Sequence, residues 1–98
     1  MYATATVTLT TSAQSLKTLV EAVLGESLPQ SIGREVLVQV ANDAGGIICV
    51  GDSSLTSSNR GYEMMSHESR LYRHPMQMDW LYVLSTTNGD KLNVEIMG

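Results

Sequence analysis

Charge is scarce in this chain. Asp, Glu, Lys and Arg make up 16% of the 98 residues, and six basic against ten acidic groups leave a formal net charge of −4. Nowhere do the basic residues cluster. Duplex binding relies on Lys and Arg neutralising phosphates, so nucleic acid is not an expected partner. Cysteine occurs once, at Cys49, which rules out an intrachain disulfide and any need for an oxidising compartment. Its setting, Ile47-Ile48-Cys49-Val50, is that of a buried, inert thiol. No apolar run approaches the roughly 20 residues that a membrane span requires. Met1 to Thr11 has neither a basic n-region nor an apolar h-region, so no signal peptide is expected.

What remains is a polar but weakly ionic chain, rich in Thr and Ser. A surface of that kind loses less on desolvation than one covered in Lys and Glu, and it suits burial against partner proteins. A chain of this length makes one domain, residues 1–98. It buries roughly 65% of its unfolded surface, enough for one core but not for a core and a large catalytic cleft.

The opening segment alternates strictly. Ala3, Ala5, Val7 and Leu9 point one way, and Tyr2, Thr4, Thr6, Thr8 and Thr10 the other. This is the period of a half-buried strand with a Thr ladder facing water or a neighbouring chain. Leu16, Leu19, Val20, Val23 and Leu24 then form one helical stripe. Thr11, Ser12 or Ser15 can cap its start, and Gly25 supplies the left-handed residue at its end. About ten residues make a helix that is marginal alone, so it must pack on a sheet.

The rest reads as β-structure. Val36, Val38 and Val40 alternate with Glu35, Leu37 and Gln39, and Ile47 to Val50 is apolar on both faces, as in a strand covered on both sides. Gly51 to Asn59 is a Ser/Thr-rich loop, and weaker strands follow near Gly61 to Met65 and Ser69 to His74, with Pro75 ending the second. Asn88-Gly89 predicts a closing hairpin with a type I′ turn, which needs positive φ at both central residues. In that register Ser85 faces Leu92, Val83 faces Val94 and Leu81 faces Ile96 on the core side. Leu84 pairs with Asn93, Tyr82 with Glu95 and Trp80 with Met97 on the other. A face carrying Trp80, Tyr82 and Met97 has the composition of a subunit contact.

Motifs for chemistry are thin. Val50-Gly51-Asp52-Ser53-Ser54 resembles the Gly-Asp-Ser block of small esterases, with Ser53 in the nucleophile's place. That chemistry needs a base, and neither His67 nor His74 has an Asp three residues before it. The block therefore reads as a turn in which Asp52 and the serines bond local amides. His67 and His74, with Glu63 or Glu68, lack the spacing of a metal site. Gly45-Gly46 lacks the Lys-Ser/Thr of a phosphate loop. Met64, Met65, Met76 and Met78 fit core gap-filling or a soft partner contact. No enzyme, cofactor or metal is expected.

Over nearly its full length the chain resembles a set of small bacteriophage virion structural proteins. The matching parts are Thr4-Ala5-Thr6-Val7-Thr8-Leu9-Thr10, Ser15-Leu16-Lys17-Thr18-Leu19, the block from Gly46 to Asn59, and Gly89-Asp90-Lys91-Leu92-Asn93-Val94. The chain departs from the pattern where Arg60 intervenes between Asn59 and Gly61, and where Tyr62-Glu63-Met64-Met65-Ser66 replaces a Leu-Ala-x-Gly turn. The resemblance implies a mainly β fold: an antiparallel β-sandwich, jelly-roll-like, with one short N-terminal α-helix. It also implies a capsid decoration (cement) protein that binds across major capsid protein junctions as a homo-oligomer, dimer or trimer. Such a protein is made in the host bacterial cytoplasm and sits on the capsid exterior. The expected contact residues are Tyr2, Thr4, Thr6, Thr8, Trp80, Tyr82 and Met97, with the loop from Gly51 to Arg60. Rival expectations are a tail, neck or fibre-base component, and a carbohydrate-binding β-sandwich that stacks sugars on Trp80 and Tyr82.

Overall fold

Strict alternation of small or β-branched apolar residues with polar ones dictates strands with one dry face, and the computed structural model places them so. It describes residues 2–27, 35–73 and 81–97. The elements are β1 (Tyr2–Thr8), β2 (Gln14–Ser15), α1 (Leu16–Leu24), β3 (Glu35–Val40), β4 (Ile48–Gly51), β5 (Tyr62–Met64), β6 (Ser69–Tyr72), β7 (Tyr82–Ser85) and β8 (Lys91–Met97). They form two four-stranded antiparallel sheets. Sheet A has the order β1-β8-β3-β6 and sheet B the order β2-β7-β4-β5. Val7, Val36, Val38, Leu92, Val94 and Ile96 from sheet A share one buried cluster with Ile48, Val50, Met64 and Val83 from sheet B.

The terminal hairpin is not formed. β7 pairs with β2 and β4, while β8 pairs with β1 and β3, so the two strands lie in different sheets. The expected dry face is correct residue by residue, since Leu81, Val83, Ser85, Leu92, Val94 and Ile96 are all buried. Val83 and Val94, however, enter the common core from opposite sheets instead of side by side. Nor is the turn type I′: Gly89 has φ 94°, but Asn88 is not among the residues with positive φ. Asn88-Gly89 belongs to a link that crosses from sheet B to sheet A.

Among the links described throughout, three further ones cross between the sheets, and the strand registers bring all four to one end. They are residues 9–13 after β1, 41–47 after β3, 65–68 after β5 and 86–90 after β7. Three of them meet at Asp90, a residue 8% exposed, through its carboxylate and its own carbonyl. The carboxylate accepts hydrogen bonds from Ser85 Oγ at 2.7 Å, Gly46 N at 3.0 Å and Gly45 N at 3.1 Å. Around it, Leu9 N donates to Asp90 O, Gly89 N to Leu9 O, Ser85 N to Thr10 O and Thr86 N to Ile47 O. Thr11 N donates to Asn88 Oδ1 at 2.9 Å. The fourth link joins through Ser66 Oγ, which donates to Asn42 O, and through Val40 N, which donates to Glu68 O. Gly46 passes so close that a Cβ there would lie 2.6 Å from Thr86 Oγ1 and 2.9 Å from Asp90 Oδ2.

The two flanks between the sheets are closed differently. On the β1/β2 flank lies α1, capped at Ser15, whose side chain accepts from Thr18 N, and ended by Gly25 at φ 73°. Leu16 and Val20 are buried, Leu19 and Leu24 pack partly, and Val23 is left 52% exposed. Half the apolar stripe suffices because the helix bridges two sheet edges and does not lie on a sheet face. On the β5/β6 flank the Arg70 guanidinium lies over the rings of Tyr62, at 4.2 Å, and Tyr72, at 5.0 Å. Their registers with Val38, Val50 and Val36 put all three residues on the inward side of their strands.

Burial pushes the Asp90 carboxyl up, but its bonds to Ser85, Gly45 and Gly46 outweigh that and hold it below the usual aspartate range. A depressed folded-state pKa stabilises above the unfolded value and is lost as pH falls through the folded one. Stability should therefore be flat from neutrality to about pH 4 and fall below it. Asp90→Asn should cost on the order of 2–3 kcal/mol at pH 7, because it leaves buried donors poorly satisfied, and should flatten the acid limb. Urea melts across pH measure both. Val94→Asp, which buries an unpaired charge in the shared core, should cost more than about 3 kcal/mol. A cooperative melt close to that of the unsubstituted chain would show the inward face to be misassigned.

Candidate interaction surfaces

The inward positions being spent on the core, the outward positions of sheet A form a continuous face. One row runs Thr6-Asn93-Gln39-Ser69 across the four strands, and the next runs Thr4-Glu95-Leu37-Leu71. Thr4, Thr6 and Thr8 are exposed, as the alternation predicts, while Leu37 and Leu71 are half-buried. Thr6 Oγ1 donates to Asn93 Oδ1 at 2.9 Å, and Lys91 Nζ reaches Thr8 Oγ1 at 3.5 Å. A shallow groove of about 470 Å³ lies here, lined by Thr4, Thr6, Leu37, Gln39, Asn93 and Glu95, with Val23 of α1. Hydroxyls and amides around apolar Leu37 can bond a partner's backbone at small desolvation cost.

The expected Trp80/Tyr82/Met97 face is not one surface. Tyr82 belongs to sheet B, half-buried beside the small cluster of Cys49, Leu55 and Leu84. Met97 is at the end of β8 in sheet A, in register with Tyr2 and Glu35. Trp80 lies outside the described residues, as do His74, Pro75, Met76 and Met78. The pairing that joined these residues was the hairpin register, and it fails with the hairpin.

The loop after β4 is held by its own bonds. Asp52 Oδ1 accepts from Ser54 N and Ser54 Oγ, Thr56 Oγ1 from Ser58 N and Asn59 N, and Ser54 O from Asn59 Nδ2. The two bonds from Ser54 hold the Asp52 carboxyl below its usual range. Leu55, 4% exposed, pins the loop to Cys49 and Leu84 on the outer face of sheet B. Cys49 is fully buried, as expected, and that burial is the main cause that pushes its thiol up.

Ser53 is exposed at this end of β4, whereas His67 sits in the turn at the far end of β5, in a left-handed conformation with φ 72°. The two are not brought together. Glu68 caps that turn by accepting from Met65 N at 2.7 Å, and Glu63 pairs with Arg60 at 4.0 Å. Among the described residues no three His, Cys, Asp or Glu side chains converge as metal ligands, and no helix is long and apolar enough to cross a membrane. Met64 is buried in the core, and Met65 is 59% exposed.

Two arrangements escaped the sequence reading. Asp90 looked like a turn residue, with no sign of the amides it would gather. Arg70 and Tyr72 do carry a signal, since residues two apart in a strand share a side, but Tyr62 comes from the other sheet. Compared with known proteins, the chain matches no family model, no curated protein and no solved structure.

The face on sheet A is best tested by substitution, because Val7 and Leu9 on the same strand are core residues and truncation would remove them. Thr6→Arg should leave the unfolding free energy within about 0.5 kcal/mol of the original while weakening any contact through this face at least tenfold. A loss of folding would contradict its exposed assignment.

Proposed function

We propose that this chain is a non-enzymatic virion structural protein, most specifically a capsid decoration protein. In this reading the two sheets form a jelly-roll-like β-sandwich that docks on the outer shell across junctions of the major capsid protein. The observation that carries the reading is the outward face of sheet A. Four strands present hydroxyl and amide side chains around half-buried Leu37 and Leu71, and a groove lined by Leu37 lies over β1, β8 and β3. Such a face gives a partner many hydrogen bonds and little charge to desolvate. The resemblance of the Thr-rich strand, the Gly46–Asn59 block and the closing strand to small virion proteins supplies the identity of the partner. The self-bonded loop after β4 is consistent with a scaffold that binds without changing shape.

Added to empty heads of its phage, the protein should bind saturably, in fixed ratio to the major capsid protein, and raise the temperature at which heads disrupt. Thr6→Arg should reduce occupancy. Binding confined to tails would move the protein to a tail, neck or fibre-base role, and no binding to either particle part would reject the virion reading.

A further inference from the structure

Asn88 and Gly89 are exposed, and among the four asparagines of the chain only Asn88 precedes a glycine. Such a pair has a spontaneous reaction of its own. With no Cβ beside it, the glycine nitrogen can approach the preceding side-chain amide carbon and close a succinimide ring. Crowding does not prevent this in the fold, since a Cβ at Gly89 would meet nothing within 4 Å. Two hydrogen bonds do. Gly89 N donates to Leu9 O at 2.9 Å, and Asn88 Oδ1 accepts from Thr11 N at 2.9 Å. The nucleophile keeps its proton on one carbonyl, while the amide it would attack is held to another residue of the same link. By itself the Thr11 N–H would assist attack, by taking up charge on Oδ1. It is idle while Gly89 N stays on Leu9 O, so the Leu9 carbonyl is the decisive catch.

We infer that Asn88 is a self-modification site gated by the seating of β1. Leu9 and Thr11 reach the pair because β1 lies on β8, where Leu9 N and O carry the ladder past Thr8↔Lys91 to Asp90 and Gly89. When β1 leaves, both bonds go with it. Gly89 N then gives its proton to a base in the water and attacks Asn88 Cγ. A C–N bond forms, the Cγ–Nδ2 bond breaks, and ammonia departs with a proton. Water reopens the ring at either carbonyl. Opening at Cγ leaves an ordinary aspartate, whose carboxylate can still accept from Thr11 N. Opening at the main-chain carbonyl sends the chain through Cβ and Cγ, an isoaspartyl link longer by a methylene. The balance is water in and ammonia out, with nothing oxidised or reduced. The isoaspartyl form displaces Gly89 N and the following Asp90, which receives Gly45 N, Gly46 N and Leu9 N. A chain that has stood open long enough to convert in this way cannot cap its core again.

Peptide mapping by mass, on the full chain at mildly alkaline pH, folded and in denaturing urea, tests this beside amide hydrogen exchange of Gly89. In urea Asn88 should convert before Asn42, Asn59 and Asn93. In the fold it should convert at least about a hundredfold more slowly, in proportion to the population that opens. Exchange of the Gly89 N–H should be slowed by the same factor to within about threefold, because one opening frees both. Val7→Ala leaves Leu9, Thr11, Asn88 and Gly89 in place but removes packing from β1, where Val7 is buried. It should speed conversion and exchange together, by at least about fivefold. If that variant fails to fold, the unsubstituted chain alone decides. Folded chains that convert as fast as unfolded ones, or conversion that proceeds while Gly89 stays protected, would overturn the inference. Refolding supplies the last arm. Asn88→Asp should regain the original protection at Gly89, and isoaspartyl chains isolated from urea should not. Isoaspartyl chains that regain it would overturn the one-way step.

Discussion

Links that cross between two sheets must turn inward over the end of the core, where water cannot reach all of their amides. The Asp90 carboxylate meets that constraint. It takes two successive N–H groups from the Gly45-Gly46 turn and the Ser85 hydroxyl from the end of β7, while its own carbonyl receives Leu9 N. Three links are thereby held on one residue, and the fourth is fastened to the neighbouring Asn42 turn. A neutral acceptor there would make weaker bonds, because ionised acceptors form hydrogen bonds roughly twice as strong. The close passage of Gly46 over Thr86 and Asp90 follows from the same crowding.

With one end fixed in this way, the flanks differ in chemistry. The β1/β2 side is filled by aliphatic packing, with Leu16 and Val20 fully inside. The β5/β6 side is filled by a cation between two phenol rings. Each cation–π contact is worth only about 0.5–1 kcal/mol at an exposed site, so the second flank is the weaker seal. That difference gives the molecule two unlike sides.

Much of the fold was legible in the residues. Period two in Ala5-Val7-Leu9 and Val36-Val38-Val40, the apolar run at Ile48-Cys49-Val50, and the Ser15 and Gly25 caps all lie where alternation and capping chemistry put them. The pairing of β7 with β8 was not legible, and the reason is physical. Alternation tells which side chains are dry, but Val83 and Val94 would both be dry as neighbours in one sheet or as opponents across the core. The candidate face inherited that ambiguity. The exposure of Thr4, Thr6 and Thr8 depended only on alternation and is seen, whereas Tyr82 and Met97 were joined only through the register and are separated. Likewise, no local pattern marks Leu55 as an anchor, because one apolar residue in a Ser-rich loop has no periodicity.

Sheet A has a consequence for the order of events during folding. β1 and β3 do not pair with each other; each pairs with β8, which lies between them, and the outer register joins Tyr2 to Met97. No partial sheet can therefore grow from the amino-terminal strand outward. The Thr-rich strand stays without a ladder partner until a segment some ninety positions later arrives, and the entropy of closing that loop falls on a single step. Folding should be slow and all-or-none for its size. During synthesis the exposed strand β1 is a sticky edge for as long as β8 is missing.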